Sequence, residues 1–209
     1  DAAVQWQKKY QTYIREYTYK KVDPIVQNYY DTPKELFDGH RYSKGAIVLH
    51  LLRKYIGDEA FFDGIQIYLQ QNAFQSAEVT HLKLAFEKIT GQDLNWFFNQ
   101  WYYNPGHPIV DLKYRYDSIH KEIILDIYQK QDQHPNAQMP YHKILLDVDL
   151  IYSDTIIHQK IIINNKQESI LLHSENPPLT VNFDPGKMQV WEANIAYQPE
   201  DLEIIYRRS

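Results

Sequence analysis

The spacing of apolar residues along the 209-residue chain changes character once. From Asp1 to about Trp101 they recur at steps of three and four, the period of a helix; from Ile109 onward they alternate, the period of a strand. Trp6, Tyr10, Tyr13 and Tyr17 fall on one stripe of a first helix, with Lys8, Lys9, Arg15 and Glu16 elsewhere on its circumference. Lys20 to Arg41 holds Pro24, Pro33 and Gly39 and predicts a long functional loop with short or broken helix, Thr32 and Pro33 offering a cap and a first helical residue. A helix from about Ser43 to Tyr55 is apolar around so much of its surface that it should be largely buried, with Gly57 ending it. Asp58 is expected to cap the next, carrying Phe61, Phe62, Ile65, Tyr68 and Leu69; Thr80 to open another that Gly91 closes; and Asp93 to start a last one through Trp101.

Helix cannot continue through Asn104-Pro105-Gly106-His107-Pro108. Beyond it Val110, Leu112, Tyr114 and Tyr116 share one strand face, followed by strands around Ile123 to Ile127 and Ile144 to Tyr152. Asn164-Asn165 between two Ile/Leu runs predicts a hairpin, and Asp184-Pro185-Gly186 a turn before Val190 and Trp191. About seven short strands predict a small antiparallel β-sandwich, so the fold class is α+β, with a helical domain over 1–106 and a sandwich over 107–209.

Composition narrows the partners. A formal charge of −5, with Lys and Arg scattered, offers no surface for a phosphate backbone, so nucleic acid is not expected. No window approaches the length of a membrane span. The chain starts on Asp rather than Met, which reads as a piece of something longer. With no cysteine there is no thiol nucleophile, thiolate metal site or redox clue to compartment. Eighteen tyrosines supply large cores whose hydroxyls reach water, or the walls of concave surfaces.

The usual marks of catalysis are missing. A helical zinc site sets two histidines four apart, with glutamate beside the first as general base. None of His40, His50, His81, His107, His120, His134, His142, His158 and His173 has a histidine at that spacing, and none is followed by glutamate. No serine lies in a glycine-flanked elbow and no glycine loop suits phosphate. On residue pattern alone the chain is a helical domain plus a β-sandwich.

Arg41-Tyr42-Ser43-Lys44-Gly45-Ala46, then Val48-Leu49-His50-Leu51-Leu52-Arg53 and Ile56-Gly57-Asp58-Glu59-Ala60-Phe61-Phe62, resemble the segment after the zinc site in zinc metallo-aminopeptidases of the aminopeptidase N type, the gluzincins, with their Y-x-K-G-A motif. The likeness runs on through Gly91-Gln92-Asp93-Leu94, Trp96 to Trp101 and Pro105-Gly106-His107-Pro108. It reaches the sandwich at Leu125 to Gln131 and Val181-Asn182-Phe183-Asp184-Pro185. It implies the C-terminal part of a catalytic domain followed by the family's sandwich, in a hydrolase that removes N-terminal residues from peptides.

Several expectations rest on that resemblance. Tyr42 would be catalytic, donating its hydroxyl hydrogen bond to the oxyanion of the tetrahedral intermediate; a phenol ordinarily keeps its proton near neutrality. On position alone Tyr42 reads as one more aromatic residue at a helix start. His40 could touch substrate or stabilise the loop, and Tyr29, Tyr30 and Phe37 could wall the active site or pack against core. Ser43 stands where the family often has glutamate, which leaves a carboxylate role there unsupported. Gly45 suits a closely packed helix start, and His107 a hydrogen bond at a turn. The H-E-x-x-H pair, the glutamate ligand and the G-x-M-x-N loop would lie upstream, so zinc is expected in the full-length protein and no metal on this chain. The chain alone would be inactive, its partners being a peptide substrate and the upstream half of the same polypeptide. A non-catalytic relative kept as an interaction scaffold is the alternative, and the compartment stays open between bacterial extracytoplasmic and cytoplasmic.

Overall fold

A computed structural model describes residues 2–133 and 138–208; Asp1, His134 and Ser209 lie outside the described residues. The chain divides into two compact units, residues 1–106 and 107–209.

The first unit is helical: α1 (Ala2–Tyr19), α2 (Gly45–Ile56), α3 (Asp58–Gln71), α4 (Val79–Thr90) and α5 (Asn95–Phe98). The α1 stripe buries Tyr13 and Tyr17, while Trp6 and Tyr10 are half-buried. In α2 Ile47, Val48 and Leu52 are buried and Lys54 alone is exposed, as its apolar circumference requires. Three helix starts differ from expectation; at one of them, α5 begins at Asn95 after Leu94, and Asp93 Oδ1 accepts the Asn95 N–H at 2.7 Å. Gly57, at φ 88°, caps α3, because Asp58 is its first residue and is engaged by the Arg53 guanidinium instead. Glu78, not Thr80, caps α4, its N–H donating to His81 Nδ1 at 3.1 Å. Gly91 closes α4 in the left-handed region, φ 65°. The loop after α1 holds one short 3₁₀ turn, Pro33–Leu36, where the Glu35 carboxylate accepts from the Thr32 N–H and hydroxyl.

The second unit is a sandwich of two sheets, ordered β5-β2-β1-β7 and β4-β3-β6, from strands β1 (Ile109–Asp117), β2 (Glu122–Gln129), β3 (Ile144–Ile151), β4 (Ile156–Ile163), β5 (Gln167–His173), β6 (Thr180–Phe183) and β7 (Glu192–Ile195). Alternation along each strand sends Val110, Leu112, Ile123, Leu125 and Ile127 of one sheet against Ile144, Leu146, Val148, Leu150, Ile161 and Ile163 of the other. The pairs are antiparallel except β1 with β7, which is parallel and follows Val190 and Trp191 rather than including them. The hairpin expected at Asn164-Asn165 does not form. The chain crosses there from one sheet to the other, β4 pairing β3 and β5 pairing β2. Gln129, fully buried, holds this crossover: its amide NH₂ donates to Asn165 O at 3.1 Å and to His142 O at 2.8 Å, and its Oε1 accepts from the His142 N–H. A last helix, α6 (Pro199–Arg208), which the strand-like pattern of this half does not predict, packs by β6. No helix among the described residues is long and apolar enough to cross a membrane.

Candidate active site

Tyr42 lies on a single π-turn, His40–Lys44, that leads straight into α2. The Tyr42 N–H donates to Asp38 O at 3.1 Å, and the Gly45 N–H reaches back to His40 O, closing the wider turn. Its neighbours point inward: His40, Ser43 and Lys44 are buried, whereas the Tyr42 side chain is 59% exposed. A turn anchored by three buried side chains thus presents one phenol to the outside. That phenol stands 6.0 Å, ring to ring, from Phe37, and both line an open pocket of about 300 Å³ with Thr12, Glu16, Gly39 and Ser43. Tyr29 and Tyr30 are exposed but take no part in this wall.

The close packing expected at Gly45 is found at Gly39 instead. A Cβ on Gly45 would meet nothing nearer than His40 O at 3.9 Å, so close packing does not require glycine there. Gly39 does have such a constraint: a Cβ would stand 2.6 Å from Glu16 Oε2, the atom that accepts the Gly39 N–H at 2.6 Å. Glu16 comes from α1, so this bond ties the first helix to the approach of the Tyr42 turn.

Charge surrounds that approach. Lys21 Nζ lies 2.8 Å from carboxylates of both Asp23 and Asp38, and Arg41 pairs with Asp38 through its guanidinium and its backbone N–H. Burial opposes charge on Asp38, yet the Lys21 hydrogen bond, the Arg41 N–H and both cations together hold its carboxyl below the usual range. His40 is 0% exposed, with the Tyr13 ring against it edge-on at 5.4 Å. A ring so enclosed cannot meet a substrate, and the expectation of direct contact gives way to a role inside the turn. Burial, reinforced by Lys44 and only partly offset by Asp38, Asp23 and Glu16, lowers its pKa to about 4, so the imidazole is neutral near pH 7. Lys44 is equally enclosed, donating to Gly106 O at 2.8 Å and lying over the Tyr13 ring.

The helical run carrying this turn has known relatives. Residues 3–101 match the peptidase family M1 domain. That match spans nearly all of the helical unit. Glutamyl aminopeptidase of Rattus norvegicus is 33% identical over 109 residues, 51% of this chain and 12% of that protein. Aminopeptidase N of Streptomyces lividans is 39% identical over 85 residues, 40% of this chain and 10% of that protein. The matched stretches thus span only 10–12% of the length of these relatives. A crystal structure of Legionella pneumophila aminopeptidase A in complex with aspartic acid aligns over 92% of this chain and 22% of its own, with a TM-score of 0.74 at 16% identity, a likeness of fold.

M1 aminopeptidases are in general zinc-dependent, which poses the question of a ligand set here. Among the described residues one group brings three donors together: Glu16, Asp38 and His40, with ligand atoms all within 4.8 Å of one another. A catalytic zinc keeps a coordination position open to substrate. This group is poorly placed for substrate: His40 is fully enclosed, and the Glu16 and Asp38 side chains, though both touch the pocket wall, are only 10% and 6% exposed. These residues do not fit the catalytic metal. In the second unit His107, also buried, meets Glu192 Oε1 at 2.9 Å, in keeping with a hydrogen-bonding role at its turn.

Proposed function

We propose that this chain is the C-terminal portion of a zinc-dependent M1 aminopeptidase, which hydrolyses N-terminal residues from peptides, and that Tyr42 is its oxyanion donor. The observation that carries the reading is the Tyr42 turn, where buried neighbours fix the backbone and leave one phenol exposed on a pocket wall. A hydroxyl held this way is preorganised. It meets the carbonyl oxygen most strongly once that oxygen carries the charge of the tetrahedral intermediate, so it favours the transition state over the ground state. The family's zinc ligands are proposed to lie upstream, and no step of the metal chemistry is assigned to residues of this chain, which alone should be inactive. Peptide substrate and the upstream portion of the same polypeptide are the proposed partners.

The test uses the full-length protein. Hydrolysis of aminoacyl anilides is compared between the unmodified form and Tyr42→Phe, with zinc quantified in both. Loss of one oxyanion donor should lower kcat about 100- to 1,000-fold at unchanged zinc content. Unchanged turnover in the variant would remove the role from Tyr42. A zinc-free, inactive parent would favour a scaffold that has kept the fold without the chemistry.

A further inference from the structure

The Glu16, Asp38 and His40 group fails as a catalytic centre for the same reasons that make it suitable as a closed one. Its three residues come from α1 and from the segment just before Tyr42, yet their ligand atoms converge to within 4.8 Å. The decisive observation is His40: the ring is 0% exposed, and neither Nδ1 nor Nε2 has a hydrogen-bond partner among the described residues. Leaving a buried polar group without a partner costs on the order of 1–3 kcal/mol. An enclosed imidazole with two carboxylates beside it is a donor set looking for an electrophile.

We propose that Glu16, Asp38 and His40 form a buried structural site for a divalent transition-metal ion, Zn²⁺ or Mn²⁺, which pins α1 to the turn carrying Tyr42. The three protein donors leave the remaining coordination position to a water from the adjoining pocket, and one imidazole nitrogen with two carboxylates favours such ions over Ca²⁺ or Mg²⁺, which prefer all-oxygen sites. Metal bonds of about 2.0–2.2 Å bring ligand atoms to about 3 Å apart, so the group closes by small side-chain movements. Existing contacts already aim the carboxylates: the Gly39 N–H holds Glu16 Oε2 and the Arg41 N–H holds Asp38 Oδ1, the outer-shell bonds that orient metal ligands. Each carboxylate has about four acceptor positions, so Asp38 keeps its ion pairs with Lys21 and Arg41 while offering a lone pair to the ion. The site does not depend on the role of Tyr42, and its test is independent of peptidase activity.

The 209-residue chain is stripped with chelator and dialysed against one equivalent of Zn²⁺ or Mn²⁺. Bound metal is then measured by elemental analysis and the unfolding temperature by calorimetry. Three exposed histidine–carboxylate pairs, His120 with Asp117, His158 with Asp149 and His173 with Glu175, are competing surface sites. A variant combining His120→Gln, His158→Gln and His173→Gln removes them. The expected result is one ion retained in that variant and in the unmodified chain, with unfolding several degrees higher than in the stripped form. Retention and the thermal shift should both be lost in His40→Gln and in Glu16→Gln. The second substitution keeps an acceptor for the Gly39 N–H, so it serves if the first does not fold. No stoichiometric ion on the unmodified chain, or an ion that survives Glu16→Gln but leaves with the surface histidines, would overturn the proposal.

Discussion

Gly39 and Glu16 are fitted to each other: the Gly39 N–H donates to Glu16 Oε2 at 2.6 Å, and a Cβ on residue 39 would stand 2.6 Å from that same oxygen. The backbone at Gly39 is ordinary right-handed helix, φ −67° and ψ −23°, so the requirement for glycine is spatial and comes from the Glu16 side chain. Gly39→Ala should therefore destabilise by about 1–2 kcal/mol, as the carboxylate is pushed off its partner. In a Glu16→Ala background the same substitution should be neutral or stabilising by up to about 1 kcal/mol, because alanine lowers the entropy of the unfolded chain. Urea unfolding of the four proteins checks the change of sign.

A harder version of the same constraint joins α3 to α4. A Cβ on Gly64 would lie 2.8 Å from Phe86 Cε1 and closer still to Cδ1, and Phe86 is fully buried, its ring stacked on Phe61 at 5.4 Å. A buried ring between two partners cannot swing aside as a carboxylate tip can. Gly64→Ala should cost about 1–3 kcal/mol, and Phe86→Leu should reduce that penalty, read as a coupling energy in a double-mutant cycle.

How far sequence could reach is plain from these pairs. Period identified the elements, since a helix or strand buries one stripe or face whatever it packs on. It could not identify partners. Two Ile/Leu runs around Asn164-Asn165 look like a hairpin whether they pair with each other or, as here, with β3 and β2. The helix α6 escaped because Leu202 and Tyr206 are exposed and no buried stripe repeats. Its signals were at its ends: Pro199 first, Glu200 and Asp201 in the first turn, Arg207 and Arg208 in the last. At the candidate site the Tyr42 motif could be recognised, but Glu16 is more than twenty residues from Asp38 and His40, and only the fold brings them together.

Asp201 is the residue that fastens α6. Its Oδ1 accepts the Tyr114 hydroxyl at 2.7 Å and its Oδ2 the Gln198 N–H at 2.8 Å, joining the helix start to β1. Burial pushes the Tyr114 phenol up to about 12; its hydroxyl bond with Thr180 opposes the rise and the Asp201 carboxylate adds to it. Tyr114 thus remains a donor through the neutral range. Asp201→Ala removes both acceptors and should cost about 1–3 kcal/mol. Tyr114→Phe leaves the Gln198 bond intact and should cost less. Chemical denaturation of the two variants beside the parent orders them.

Lys44 makes the stability of the first unit depend on pH in a direction opposite to that of a surface lysine with a carboxylate partner. No solvent reaches it, and desolvation lowers its pKa from 10.5 to about 7. An unfolded chain exposes the amine and restores the ordinary value. Between about pH 7 and pH 10.5 the unfolded state therefore binds more protons than the folded one, and stability rises with pH across that window. The slope is at most about 1.4 kcal/mol per pH unit. Below about pH 7 both states are charged and the folded state carries the full cost of a buried ammonium, eased by Gly106 O and the Tyr13 ring. Lys44→Met, of similar length and without charge, should remove the slope, so that its unfolding free energy exceeds that of the parent most at pH 6 and least at pH 10. Denaturant titrations of both proteins at half-unit pH steps measure this, and parallel pH profiles would show that Lys44 titrates as it does in water.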